Sequence, residues 1–237
     1  MPTCYQTPRR FIGSFKIAQI AQNFFQNRFI QAAVTAVPPS LAYLVLVESA
    51  KFHLIQFYRK NASKVNAETR SRVEQAYQNM GCEDKTIYFC DAGFKFPYTL
   101  TTLIDPRLVL FSYPQSAAPQ DYDELYAMAG HEALHAKENH ALKSEFAFFM
   151  TMELMREMSV IFLRLRATVA FWSSFACAVV VFNQVNKALE YRADAVSAKT
   201  LHTAPELCRL FHRHFRESSP SYPSFESREA NLKKLGC

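Results

Sequence analysis

The 237-residue sequence predicts an α+β fold that is mostly helical, with a small β-sheet next to the helix that carries His131-Glu132-Ala133-Leu134-His135. Three observations support that expectation. Apolar residues recur at helical spacing in 67–80 (Val73, Ala76, Tyr77, Met80) and again from Leu125 and Met128 onward. Two short runs, 86–90 and 108–112, are rich in β-branched, aromatic and aliphatic residues and are bounded by turn formers. The resulting order of helix, strands and helix puts the strands just before the HExxH string.

Residues 1–60 read as an N-terminal extension, amphipathic and apolar. The first acidic residue is Glu48, and Arg9, Arg10, Lys16 and Arg28 make the opening segment basic. A targeting peptide fits poorly, because Lys16, Asn23, Asn27 and Arg28 interrupt any apolar stretch and no small-residue cleavage site follows. An amphipathic helix explains Phe11, Phe15, Ile17, Ile20 and Phe24 more simply, resting on a membrane or on the main domain. The uncharged stretch 29–47 approaches the length of a membrane span but holds Pro38-Pro39 at its centre.

Residues 61–237 read as one further domain. Helix 67–80 is closed by Gly81, and Pro106 precedes the second strand. Asp121 is a cap, with Glu124 three residues on, so the HExxH string falls inside a helix. Residues 167–182 are apolar but shorter than the ~20 residues a span needs, and their neighbour 145–159 carries Glu153, Arg156 and Glu157 and is not expected to span. The run from Ala188 to Ala198 is helical, and its small residues Ala188, Ala193, Ala195 and Ala198 would let a second helix approach closely.

These elements place a chemistry. A helix turns about 100° per residue, so His135 returns to within roughly 40° of His131, one turn along the same face. Both rings can reach one metal ion. Catalytic zinc takes three protein ligands and keeps a fourth position for water, and Glu190 is the best third ligand. Glu132 lies beside the metal face, where a general base belongs. Asp194 shares a face with Glu190 and can accept the spare ring N–H of a ligand His. Without the upstream string, Glu190 and Asp194 would read as a solvated helix face with Arg192 as counter-charge. His140 sits about 140° around from His135, so an unbroken helix would keep it from the same metal. His212 and His214 read as surface residues, and His53 and His202 have no assigned role.

HExxH followed by Glu190-Tyr191-Arg192-Ala193-Asp194 resembles the zinc metallopeptidases that include the HtpX, BepA, Oma-type and CaaX prenyl endopeptidase groups. The resemblance covers about residues 66 to 235. It implies a zincin-type metallopeptidase domain over 61–237, with one Zn2+ held by His131, His135 and Glu190, Glu132 as catalytic base and Asp194 orienting a ligand His. It also implies the activity: a metalloendopeptidase that hydrolyses peptide bonds in protein or peptide substrates through a zinc-activated water. A further family element matches at Pro223 and Arg228, while Tyr222 stands where the family has His. The Tyr222 phenol can donate to a developing oxyanion, and Arg228 reads either as a buried ion pair with a site carboxylate or as a solvated helix charge. The alternative is a catalytically silent zinc-binding relative that acts as a membrane or partner adaptor. HtpX-like members carry a membrane hairpin between the two motifs, where 167–182 lies, so membrane association is the expected localisation, with a soluble cytoplasmic protein as the alternative.

Composition narrows the partners. The net charge is +6 and the pI about 9.0, but the basic residues are scattered, so nucleic acid is not expected as a partner. A mean hydropathy of -0.11 argues against a multi-span protein. Cys4, Cys82, Cys90, Cys177, Cys208 and Cys237 lack metal-ribbon spacing and read as reduced thiols, which suggests an active site facing a reducing compartment. Oligomeric state is not legible from these features.

Overall fold

The computed structural model describes residues 11–60, 65–90, 98–112, 121–214, 220 and 222–237, with the backbone alone for 11–25, Phe29, Arg213, His214 and Phe225. Arg9, Arg10 and the side chains of Phe11 to Phe24 therefore lie outside the described residues, as does the His214 ring.

Helix α1 (Phe11–Lys60) runs straight through Pro38 and Pro39, the pair that argued against a long helix there. Proline's fixed φ is itself helical. What the pair removes is the N–H partners of the Val34 and Thr35 carbonyls. Packing offsets that loss: Ala32, Ala36 and Ser40 are fully buried, and the Ser40 hydroxyl lies 2.8 Å from the Ala36 carbonyl and 3.2 Å from that of Phe149. Further along, Glu48 is pinned between Lys51 (2.9 Å) and the backbone N–H of Leu103 (2.6 Å).

Helix α2 (Ala67–Asn79) starts where Asn66 accepts from the Thr69 N–H at 2.6 Å, and it ends before Gly81, whose φ of +72° suits glycine. Strands β1 (Thr86–Cys90) and β3 (Leu108–Ser112) match the two predicted runs and pair in parallel. Strand β2 (Tyr98–Thr101), too short for a periodic signal of its own, pairs antiparallel with β3, giving the order β1-β3-β2. The central strand, Leu-Val-Leu-Phe-Ser, is buried throughout. Its alternation divides the core. Val109 and Phe111, with Phe89, face Val73 and Tyr77 of α2 and Leu125 and Ala129 of the HExxH helix. Leu108 and Leu110, with Cys90 and Leu100, face Phe52, Ile55 and Tyr58 of α1.

The rest is helical: α3 (Tyr122–Glu138), α4 (His140–Leu163), α5 (Ala167–Leu201), α6 (Ala204–His214) and α7 (Phe225–Lys233). Residues 167–182 and the Glu190 run, read separately from sequence, are one 35-residue helix. Helix α4 packs along both α1 and α5. Among the described residues, two helical stretches, Gln26–Lys60 and Ala167–Leu201, are long and apolar enough to cross a membrane.

The cysteine expectation is corrected at one pair. Cys208 and Cys237 are joined by a disulfide with their Cα atoms 6.2 Å apart, whereas Cys82 and Cys177 keep free sulfurs. The physical reason is non-local. Leu232 of α7 packs into the same apolar cluster as Leu207, Cys208 and Phe211 of α6, which brings the chain end back beside α6. No spacing rule reveals such a pairing. The bond also removes the ground on which a reducing compartment was expected.

Candidate metal centre

The site is built where α3 crosses α5. Asp121 caps α3 by accepting from the Asp123 N–H at 2.8 Å, and the helix then buries both motif residues His131 (1% exposed) and Glu132 (7%). Close approach of α5 depends on small residues. A Cβ on Gly130 would fall 2.2 Å from Leu201 Cδ1, and across the contact Ala193, Ser197 and Ala198 are buried. Glu190 thereby reaches both histidines. The Nε2 atoms of His131 and His135 are 2.9 Å apart, with Glu190 oxygens 3.3 Å from the first and 3.4 Å from the second. The three donor groups lie within 4.8 Å of one another.

Asp194, one turn beyond Glu190, is fully buried with Oδ1 2.9 Å from His131 Nδ1. Arg228 of α7 clamps it from the other side, donating from Nε to Oδ2 at 2.7 Å and from Nη2 to Oδ1 at 2.6 Å. The same Nη2 is 3.4 Å from Glu190, and the guanidinium lies 4.0 Å over the Phe211 ring of α6. Of the two readings open for Arg228, the buried ion pair is the one the structure has, and α6 and α7 serve to hold it there.

The electrostatics favour a cation. Burial opposes charge on His131, but the carboxylates of Asp194 and Glu190 outweigh it and raise that ring to about 10. Burial, helped by the neighbouring His131, lowers His135 to about 3. Glu190 is held at about 2 because its histidine and arginine neighbours overcome the cost of burial. The three donors thus sit in a field that already draws one positive charge into their midst. Two imidazole nitrogens and a carboxylate form a donor set that suits zinc.

Glu132 differs. Burial pushes its carboxyl up to about 7 against the pull of His131, and the nearby Thr99 of β2 also draws it down. The Thr99 hydroxyl is in turn 2.9 Å from the buried Tyr77 hydroxyl. A carboxyl poised near neutrality can both take and return a proton. Tyr222 is partly exposed, and the burial of its hydroxyl end together with the charges of Glu190 and Glu132 pushes its phenol up to about 12, so it remains a donor.

A family model described as Peptidase family M48 matches residues 99–235, more than half of the chain. The chain belongs to peptidase family M48. The M48 match opens at Thr99 and closes beyond Arg228, so it encloses His131, Glu132, His135, Glu190, Asp194, Tyr222 and Arg228. No curated protein and no solved structure matches the chain. Membership makes the fold a zincin-like metallopeptidase domain, as the motif pair implied.

Two contributors to this M48 site escaped the sequence reading. Thr99 carries no signal beyond lying in a four-residue strand. His140 does carry one. Asn139 takes the left-handed conformation (φ 51°) and ends α3, so His140 opens α4 and swings back until its Nδ1 is 2.9 Å from His135 Nδ1. Asn is a common residue at such a helix stop. The unbroken helix assumed from sequence kept these two rings apart.

Proposed function

We propose that this chain is a zinc-dependent metalloendopeptidase, with His131, His135 and Glu190 as the metal ligands and Glu132 as the base. The observation that carries this reading is the convergence of those three donors beside a buried, near-neutral carboxyl. Zinc, when bound, lowers the pKa of a coordinated water and polarises the scissile carbonyl. The chain's own residues supply the rest. Glu132 takes the proton of the attacking water and delivers it to the leaving amine. Asp194 keeps the His131 Nδ1 proton in place, leaving Nε2 bare for the metal, and Arg228 holds Asp194 charged and oriented. Tyr222 stands at the exposed edge of the site as a donor to the developing oxyanion. Treating the purified protein with a strong zinc chelator is expected to stop cleavage of an unfolded protein such as casein, and restoring zinc to recover it. Cleavage that survives complete removal of metal would refute the reading.

We also propose that α1, α4 and α5 place this domain at a membrane. Val34, Leu46, Leu163, Trp172 and Val180 are each at least 60% exposed, an apolar surface that a bilayer would cover. At 1.5 Å per residue, the stretch from Ala167 to Glu190 is about 35 Å long, so a span of ~30 Å would leave Glu190 at the aqueous boundary. Arg164 and Arg166 are exposed at the opposite end of the α4–α5 hairpin. Within α4, Arg156 pairs with Glu153 at 2.8 Å and Glu157 at 3.0 Å. Full-length protein is expected to sediment with membranes and to need detergent for release. Its recovery in the high-speed supernatant without detergent would contradict this placement.

A further inference from the structure

His131 and His135 are backed differently. Behind His131 stands a carboxylate, Asp194, fixed by Arg228. Behind His135 stands another imidazole, His140, which is 2% exposed. Two ring nitrogens 2.9 Å apart need one proton between them, so the contact has a direction. The structure determines which.

The far nitrogen of His140, Nε2, lies 3.2 Å from Glu138 Oε2. Glu138 accepts from Arg192 at 2.8 and 2.6 Å and from Lys143 at 3.2 Å. A carboxylate so engaged can only accept, so His140 Nε2 carries the N–H. In a neutral imidazole the other nitrogen is then bare. His140 Nδ1 therefore accepts, His135 Nδ1 donates, and the His135 Nε2 lone pair is left pointing at Glu190 and His131. The backbone at His140 is anchored as well: the Ser144 hydroxyl is 3.1 Å from its carbonyl and 2.5 Å from Asn186 Oδ1 of α5.

We propose that His140 is a positioning residue for the metal ligand His135, transmitting the acceptor direction of Glu138 through its own ring so that His135 is kept in the tautomer that offers Nε2 to a metal. The inference rests on the reading of His131, His135 and Glu190 as a metal site. Residues behind a ligand His commonly contribute 10–100-fold to metal affinity. Glu138 and Arg192, which join the end of α3 to α5, then belong to the site's framework rather than to a solvated surface.

The test measures zinc affinity of the full-length protein by competition with a chromophoric chelator, together with the visible spectrum of the cobalt-substituted form. His140→Phe keeps the ring but loses the acceptor. His140→Asn places an amide oxygen close to where Nδ1 stood. The Phe variant is expected to bind zinc about 10–100-fold more weakly and to shift the cobalt bands, and the Asn variant to recover most of both. Glu138→Ala, at a half-buried position, is expected to weaken zinc in the same direction by a smaller factor while the metal-free protein unfolds at an unchanged temperature. Wild-type affinity and spectrum in the Phe variant would overturn the proposal, as would an Asn variant no better than Phe, or unchanged affinity in Glu138→Ala. A wild-type protein that binds no zinc would instead sink the metal-site reading itself.

Discussion

Glu132→Gln is expected to lower peptide-bond cleavage by about 10²–10⁴-fold, the range a positioned general base contributes, and to leave zinc content and unfolding temperature close to wild type. The substitution keeps the shape of the side chain, but an amide cannot accept the water proton. In the proposed mechanism, burial that pushes the carboxyl up to about 7 would equip Glu132 for both halves of the cycle, basic enough to deprotonate water and acidic enough to return the proton. Steady-state cleavage alongside metal analysis separates this from a ligand role. Loss of zinc in the Gln variant would mean that Glu132 helps to hold the ion. Undiminished turnover would remove it from the mechanism.

The second large effect concerns stability. Arg228 and Asp194 are 3% and 0% exposed and share two short charge-assisted bonds, so solvent screens neither. Arg228→Ala strands the Asp194 carboxylate in the interior and also uncovers the Phe211 ring. Breaking one partner of a buried pair costs roughly 3–5 kcal/mol, and that loss is expected in the denaturant midpoint of Arg228→Ala. Adding Asp194→Ala should recover part of the loss, because no buried charge is then left unpaired. A single variant within about 1 kcal/mol of wild type would show that the pair is wetter than its burial implies.

What could be read in advance followed the range of the forces involved. The HExxH helix, its Asp121 cap and strands β1 and β3 depend on neighbours within one or two turns, and their bounds come from local pattern. Glu190 and Asp194 were legible only beside the HExxH string, since a step of four acidic residues on a helix reads by itself as a solvated face. Arg228 was legible only through the family pattern, since its partners lie on another helix. Two features depended on contacts that no local rule contains. The Pro38-Pro39 pair continues as helix because α4 lies alongside it, and Cys208 meets Cys237 because Leu232 packs onto α6. His140 is the nearest miss: the αL residue Asn139 was a readable helix stop, and reading it would have brought His140 back onto His135.

Zinc-edge X-ray absorption on the purified full-length protein tests the central claim most directly. The account predicts one zinc per chain with a first shell of nitrogen and oxygen at about 2.0–2.2 Å, including two imidazoles and no sulfur. A sulfur shell near ~2.3 Å, or a single imidazole, would place the metal on residues other than His131, His135 and Glu190 and contradict it.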